Sequence, residues 1–102
     1  MTQKLRFQDY VDIGSSGTKA DVDFLMEFLV EEADLLSLKL VDNALTLIRT
    51  AEGRNQIQYY LFHGTYIQRN YAALYFKRRG FMDIVHKAYL KGLLDKDQAL
   101  SI

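Results

Sequence analysis

A chain of 102 residues, 49% hydrophobic and 25% charged, has the balance of a globular protein with material for one core. Its 13 basic and 13 acidic side chains cancel to a formal charge of zero, and the absence of Cys excludes disulfides, thiolate metal sites and a thiol nucleophile. Proline is absent too, so the helices must be punctuated by glycine and by capping side chains.

The opening residues, Met1 to Tyr10, hold no apolar h-region, and no apolar run approaches the ~18 residues of a membrane span. A cytoplasmic protein with no membrane partner is the expectation. Residues 1–17 carry Leu5, Phe7, Tyr10, Val11 and Ile13 without a clean period, then the polar break Ser15-Ser16-Gly17. They read as an N-terminal arm. Residues 18–102 read as a single helical domain.

Thr18 and Asp21 have the spacing of a capping box. From there an apolar row steps by four and three through Val22, Met26, Leu29, Ala33, Leu36, Leu40, Ala44, Leu47 and Ala51. It predicts a first long helix over 18–51, roughly 50 Å at 1.5 Å per residue, with a bend near Ser37 or Asp42-Asn43. Gly53 suits a left-handed C′ position, and Asn55 with Gln58 repeats the box. A second long helix is predicted over 55–79. Its aromatic side chains fall on two faces, which calls for partners on both sides. Gly64 lies inside it, where it allows close helix approach. Thr65 and Gln68 have the form of a fresh cap, but one continuous helix is the preferred reading. Phe81 to Lys91 predicts a third helix, stopping at Gly92. Asp95 and Gln98 cap a short fourth over 96–101.

These elements predict an all-α fold. It is a helical bundle built on a long antiparallel helix hairpin with two shorter C-terminal helices, completed by dimerisation. The expected assembly is a symmetric homodimer that uses aromatics of the second helix. Zero net charge hides a polarity: residues 18–36 carry a net charge of −5, and residues 53–92 a net charge of +6. Complementary pairing, within the bundle or across a dimer, is the simplest use of that pattern.

Two groups of side chains are candidate binding residues. Tyr59, His63, Tyr66, Arg69 and Asn70 fall on one stripe of the second helix. His and Tyr there suit proton transfer, and Arg suits an anionic group. The same stripe suits a polar seam between helices or protomers. Lys77, Arg78 and Arg79 close the helix and favour its negative end. With Tyr59, Tyr66, Tyr71 and Tyr75 they could also grip nucleic acid, phosphates on the cations and bases on the rings. Glu27, Glu31 and Asp34 share a face, but no His-x-x-x-His or Glu-x-x-His pairing accompanies them, so no metal is expected. Gly14-Ser15-Ser16-Gly17-Thr18 resembles a phosphate loop in composition only and reads as a hinge. No cofactor and no catalytic set emerge.

Arg79 and His86, separated by six residues, resemble the Arg–spacer–His pair of the HEPN ribonucleases, small helical proteins whose dimers place that pair at a catalytic cleft. The resemblance implies RNA cleavage at Arg79 and His86. It covers eight residues, and Gly80 stands where a polar residue often follows the Arg. The preferred reading is a non-enzymatic helical interaction or regulatory module acting as a homodimer, with a possible further protein partner. Nucleic-acid binding through the basic 69–91 side comes second and a HEPN-like ribonuclease third.

Overall fold

A helix can start wherever a side chain accepts the N–H groups that its first turn leaves unpaired, and this chain supplies such acceptors more often than its apolar rows suggest. The computed structural model describes residues 5–100. Among these the chain forms α1 (Phe7–Ser16), α2 (Lys19–Met26), α3 (Leu35–Thr46), α4 (Ala51–His63), α5 (Tyr66–Arg78), α6 (Met82–Leu90) and α7 (Lys96–Leu100), with no strand. The all-α class is as predicted. None of these helices is long and apolar enough to cross a membrane. The chain packs as two compact units divided after Gln56, so α4 contributes residues 51–56 to the first and 57–63 to the second.

In the first unit, the arm expected over 1–17 is, from Phe7 on, a helix. The Asp9 carboxylate accepts the Arg6 N–H at 2.8 Å. At the other end Gly17 is left-handed (φ 60°) and its N–H returns to the Ile13 carbonyl at 3.0 Å. Helix α1 packs on α3 so closely that a Cβ on Gly14 would run into the Ala44 carbonyl. The part of the arm before Leu5 lies outside the described residues.

The single helix expected over 18–51 is divided. Its start is as predicted: the Thr18 hydroxyl accepts the Asp21 N–H at 3.1 Å, and the Asp21 carboxylate accepts the Thr18 N–H at 3.0 Å. Burial works to raise the Asp21 carboxyl, but hydrogen bonds from the Thr18 backbone, Thr18 hydroxyl and Ser16 hydroxyl hold it below its ordinary value. After Met26 the helix gives way to successive turns over 27–34. A continuous helix would stack Glu27 on Glu31 and Glu31 on Asp34, with no cation between Lys19 and Lys39 to relieve them. Instead Asp34 caps α3, accepting the Ser37 N–H at 2.7 Å. Leu29 is buried within the turn.

Helix α3 ends with the N–H groups of Leu47 and Ile48 returning only three residues, to Ala44 and Leu45. Thr50 then ties three segments together. Its hydroxyl donates to the Gly17 carbonyl at 2.5 Å and accepts the Gly53 N–H at 2.9 Å. Helix α4 therefore starts four residues before the predicted Asn55. Gly53, expected as a left-handed C′ residue, is helical, and a Cβ there would meet the Gly17 carbonyl and the Ile48 side chain. Glu52 accepts the Lys19 N–H at 2.7 Å, and the Gln56 amide donates to Asp23 at 2.6 Å. Val22, Leu25, Met26, Val41, Leu45 and Ile48 are fully buried, and Phe28 meets Tyr10 and Phe24 edge to face.

In the second unit, the helix expected over 55–79 breaks at Gly64. The Thr65 hydroxyl accepts the Gln68 N–H at 3.2 Å, and the Gln68 side chain accepts the Thr65 N–H at 2.9 Å. The fresh cap thus prevails over the continuous row. Helix α5 packs on α6 and α7, and Tyr75 and Phe76 are buried edge to face at 5.2 Å, while Tyr59 and Tyr66 stay exposed. Helix α6 falls where predicted and ends before a left-handed Gly92 (φ 77°). The box opening α7 is as predicted: the Asp95 carboxylate accepts the Gln98 N–H at 2.8 Å and the Gln98 side chain accepts the Asp95 N–H at 2.9 Å.

Replacing Gly14 by Ala forces α1 away from α3. We expect a loss of about 1–3 kcal/mol, as for overpacking elsewhere, measured by urea unfolding.

Candidate functional site

The stripe Tyr59, His63, Tyr66, Arg69 and Asn70 presupposes a continuous helix, and the break at Gly64 divides it. Tyr59 and His63 remain together on α4, one turn apart, with ring centroids 4.8 Å apart and planes tilted by 31°. Both are exposed, and the Tyr60 ring stands edge-on to Tyr59 at 5.5 Å. Tyr66, Arg69 and Asn70 belong to α5, where Asn70 is half-buried.

Tyr66 and Arg69 reach the segment that joins α6 to α7. The Tyr66 hydroxyl donates to the Asp95 carboxylate at 2.8 Å. The Arg69 guanidinium donates through Nε to the Leu93 carbonyl at 2.6 Å and through Nη1 to the Gly64 carbonyl at 2.8 Å. Gly64 is the last residue before the cap of α5, so Arg69 satisfies a carbonyl that the helix break exposes. A planar fork bridges two carbonyls in this way; a single ammonium does not.

The cations at the end of α5 have separate fates. Lys77 is only 6% exposed, and its ammonium donates to the Gln98 carbonyl at 2.5 Å, holding α7 against α5. Burial, and secondarily the charge of Arg78, push its pKa down. The Arg79 guanidinium lies over the buried Tyr75 ring, 3.8 Å from its centroid. Arg78 is exposed. The sequence carries no signal that separates Lys77 from its neighbours except its place three residues after Leu74 and four after Ala73, on the buried side of α5.

Of the HEPN-like pair, Arg79 thus rests on Tyr75, while His86 is exposed on α6 with its ring 6.4 Å from Tyr89. Gly80 between them is left-handed (φ 78°) and ends the helix. Among the described residues no three His, Asp or Glu side chains gather as metal ligands. Glu27 and Asp34, expected on one helical face, end α2 and begin α3 respectively. The segment that resembled a phosphate loop is occupied over residues 14–16 by the last turn of α1. Compared with known proteins, the chain matches no family model, no curated protein and no solved structure.

The Tyr66–Asp95 bond has a defined pH window. Asp95 is held below its ordinary pKa chiefly by the Gln98 N–H and then by the Tyr66 hydroxyl, while Tyr66 is raised chiefly by its bond to Asp95. The depressed carboxyl contributes stability above its unfolded value of about 3.9 and loses it as pH falls through the folded value. The raised phenol contributes below its unfolded value of about 10 and loses it as pH rises through the folded value. In Tyr66→Phe the Asp95 carboxyl titration should move up, read from its side-chain carbon resonance. Replacing Arg69 by Met strands two carbonyls and should cost about 1.5–3 kcal/mol in urea unfolding, and Arg69→Lys should recover only part of it.

Proposed function

We propose that the chain is a non-enzymatic helical interaction module that acts as a homodimer. The observation that carries this reading is the exposure of large aliphatic side chains on helices that are otherwise well packed. Leu35 and Leu36, adjacent at the head of α3, are 72% and 68% exposed, and Leu90 at the end of α6 is 70% exposed. Exposed apolar groups of this kind mark association surfaces when they cluster. The residues best suited to chemistry are engaged elsewhere: Tyr66, Arg69 and Lys77 hold the segment from Leu93 to Gln98, and Arg79 covers Tyr75. A formal charge of zero does not oppose self-association.

A second reading, nucleic-acid binding, draws on the exposure of Arg78, Lys87 and Lys91 within the basic 69–91 side. The two separate readily. Light scattering on a sizing column should report twice the 11.8 kDa chain mass at tens of micromolar, and a species of single-chain mass overturns the homodimer. Retention of a labelled RNA at low salt that is lost in the Arg78→Glu, Lys87→Glu variant would favour the second reading instead.

A further inference from the structure

Within the second unit, residues 93–100 form a segment that carries its own cap, because the Asp95–Gln98 box is internal to it. Its fastenings lie on α5. The Leu93 carbonyl accepts from Arg69, the Asp95 carboxylate from the Tyr66 hydroxyl, and the Gln98 carbonyl from the Lys77 ammonium. The Gln98 side-chain amide also donates to the Tyr66 carbonyl at 3.5 Å. Leu94, Gln98 and Ala99 are buried, and α7 packs on both α5 and α6.

The link between α6 and this segment turns on one residue. Gly92 is left-handed (φ 77°), its N–H donates to the Tyr89 carbonyl at 2.9 Å, and the Leu93 N–H donates to the Ala88 carbonyl at 3.0 Å. A Cβ on Gly92 would meet nothing within 4 Å. Backbone angle alone therefore ties this position to glycine, and a change of that angle redirects every residue after it. The self-capped segment can swing about Gly92 without losing its own box.

A segment of this kind fits a second copy as it fits its own chain, because the contacts are the same and only the hinge differs. Resting on the homodimer reading above, we infer that two copies exchange residues 93–100 across a two-fold axis. Tyr66, Arg69 and Lys77 of each copy then hold Asp95, Leu93 and Gln98 of the other, and Leu94 and Ala99 fill the other copy's site. Every group involved lies in the second unit. The exchange is reciprocal, so the assembly closes at two. What it adds to the closed chain is contact where the two hinges pass each other. Leu90, two residues before Gly92 and 70% exposed, is the apolar side chain covered there.

Chain mixing tests this directly. Isotope-labelled and unlabelled chains are unfolded, refolded together one to one and studied by isotope-filtered NOE spectroscopy at tens of micromolar. Contacts from Leu94 and Ala99 to α5 should cross between copies. Gly92→Ala penalises the left-handed hinge of the closed chain at both ends of the dimer, so its dissociation constant should fall about tenfold or more in sedimentation velocity. A parental dimer in which the contacts between α7 and α5 all stay within one copy overturns the exchange and leaves the homodimer standing. So does a dimer whose dissociation constant Gly92→Ala leaves unchanged. A parental monomer overturns both.

Discussion

A helix begins with N–H groups that meet no carbonyl, and each of them must find an acceptor. In this chain the acceptors are side chains at the start of successive helices: Thr18, Asp34, Thr50, Thr65 and Asp95. Three of them are reciprocated, by Asp21, Gln68 and Gln98, so that the first residue's own N–H is satisfied as well. With proline absent, these bonds rather than rigid kinks decide where one helix stops and the next starts. The division of two expected long helices into shorter ones results from them. Thr50 adds a long-range role, because its hydroxyl also holds the Gly17 carbonyl and so joins the end of α1 to the start of α4.

The legible part of the fold is the part where a local signal and an apolar row agree. The boxes at Thr18 and Asp95, and helix α6 with its glycine stop, are of that kind. The break across 27–34 is hidden because the apolar row runs on through it, and at Gly64 the local cap signal of Thr65 and Gln68 competes with the continuing apolar pattern and is the one the structure follows. A row records which side chains want burial; Leu29 is buried from a turn as well as it would be from a helix. Helix α1 was illegible for the opposite reason. Its contact with α3 is made by Gly14, and a residue without a side chain leaves no mark in hydrophobic periodicity. The arrangement of Tyr66 and Arg69 depends on carbonyls of Gly64 and Leu93, and backbone acceptors carry no sequence signature at all.

The candidate residues show how a side chain's chemistry is redirected by its neighbours. Tyr66 and Arg69 of the polar stripe, and Lys77 and Arg79 of the basic helix end, look like binding groups when read along one helix. In three dimensions three of these groups donate to a carboxylate or to backbone carbonyls of the segment before and within α7, and the fourth covers an aromatic ring. A hydrogen bond from a charged donor to a carbonyl is worth more than one between neutral groups. The short α7, at five residues too brief to persist alone, is held in place by such bonds.

The junction between α4 and α5 consists of Gly64 and Thr65 alone. It is closed from both directions, by Arg69 on the Gly64 carbonyl and by Gln68 on the Thr65 N–H. Such a junction has a fixed length. One residue inserted within the first turn of α5 would rotate the remainder of that helix by roughly 100°, carrying Tyr75 and Phe76 off the buried side. The junction is restricted in composition as well as in length, because a Cβ on Gly64 would run into the Tyr60 carbonyl and Thr65 supplies the cap of α5. Tolerance to insertion belongs instead to exposed turns, where added residues have solvent to occupy.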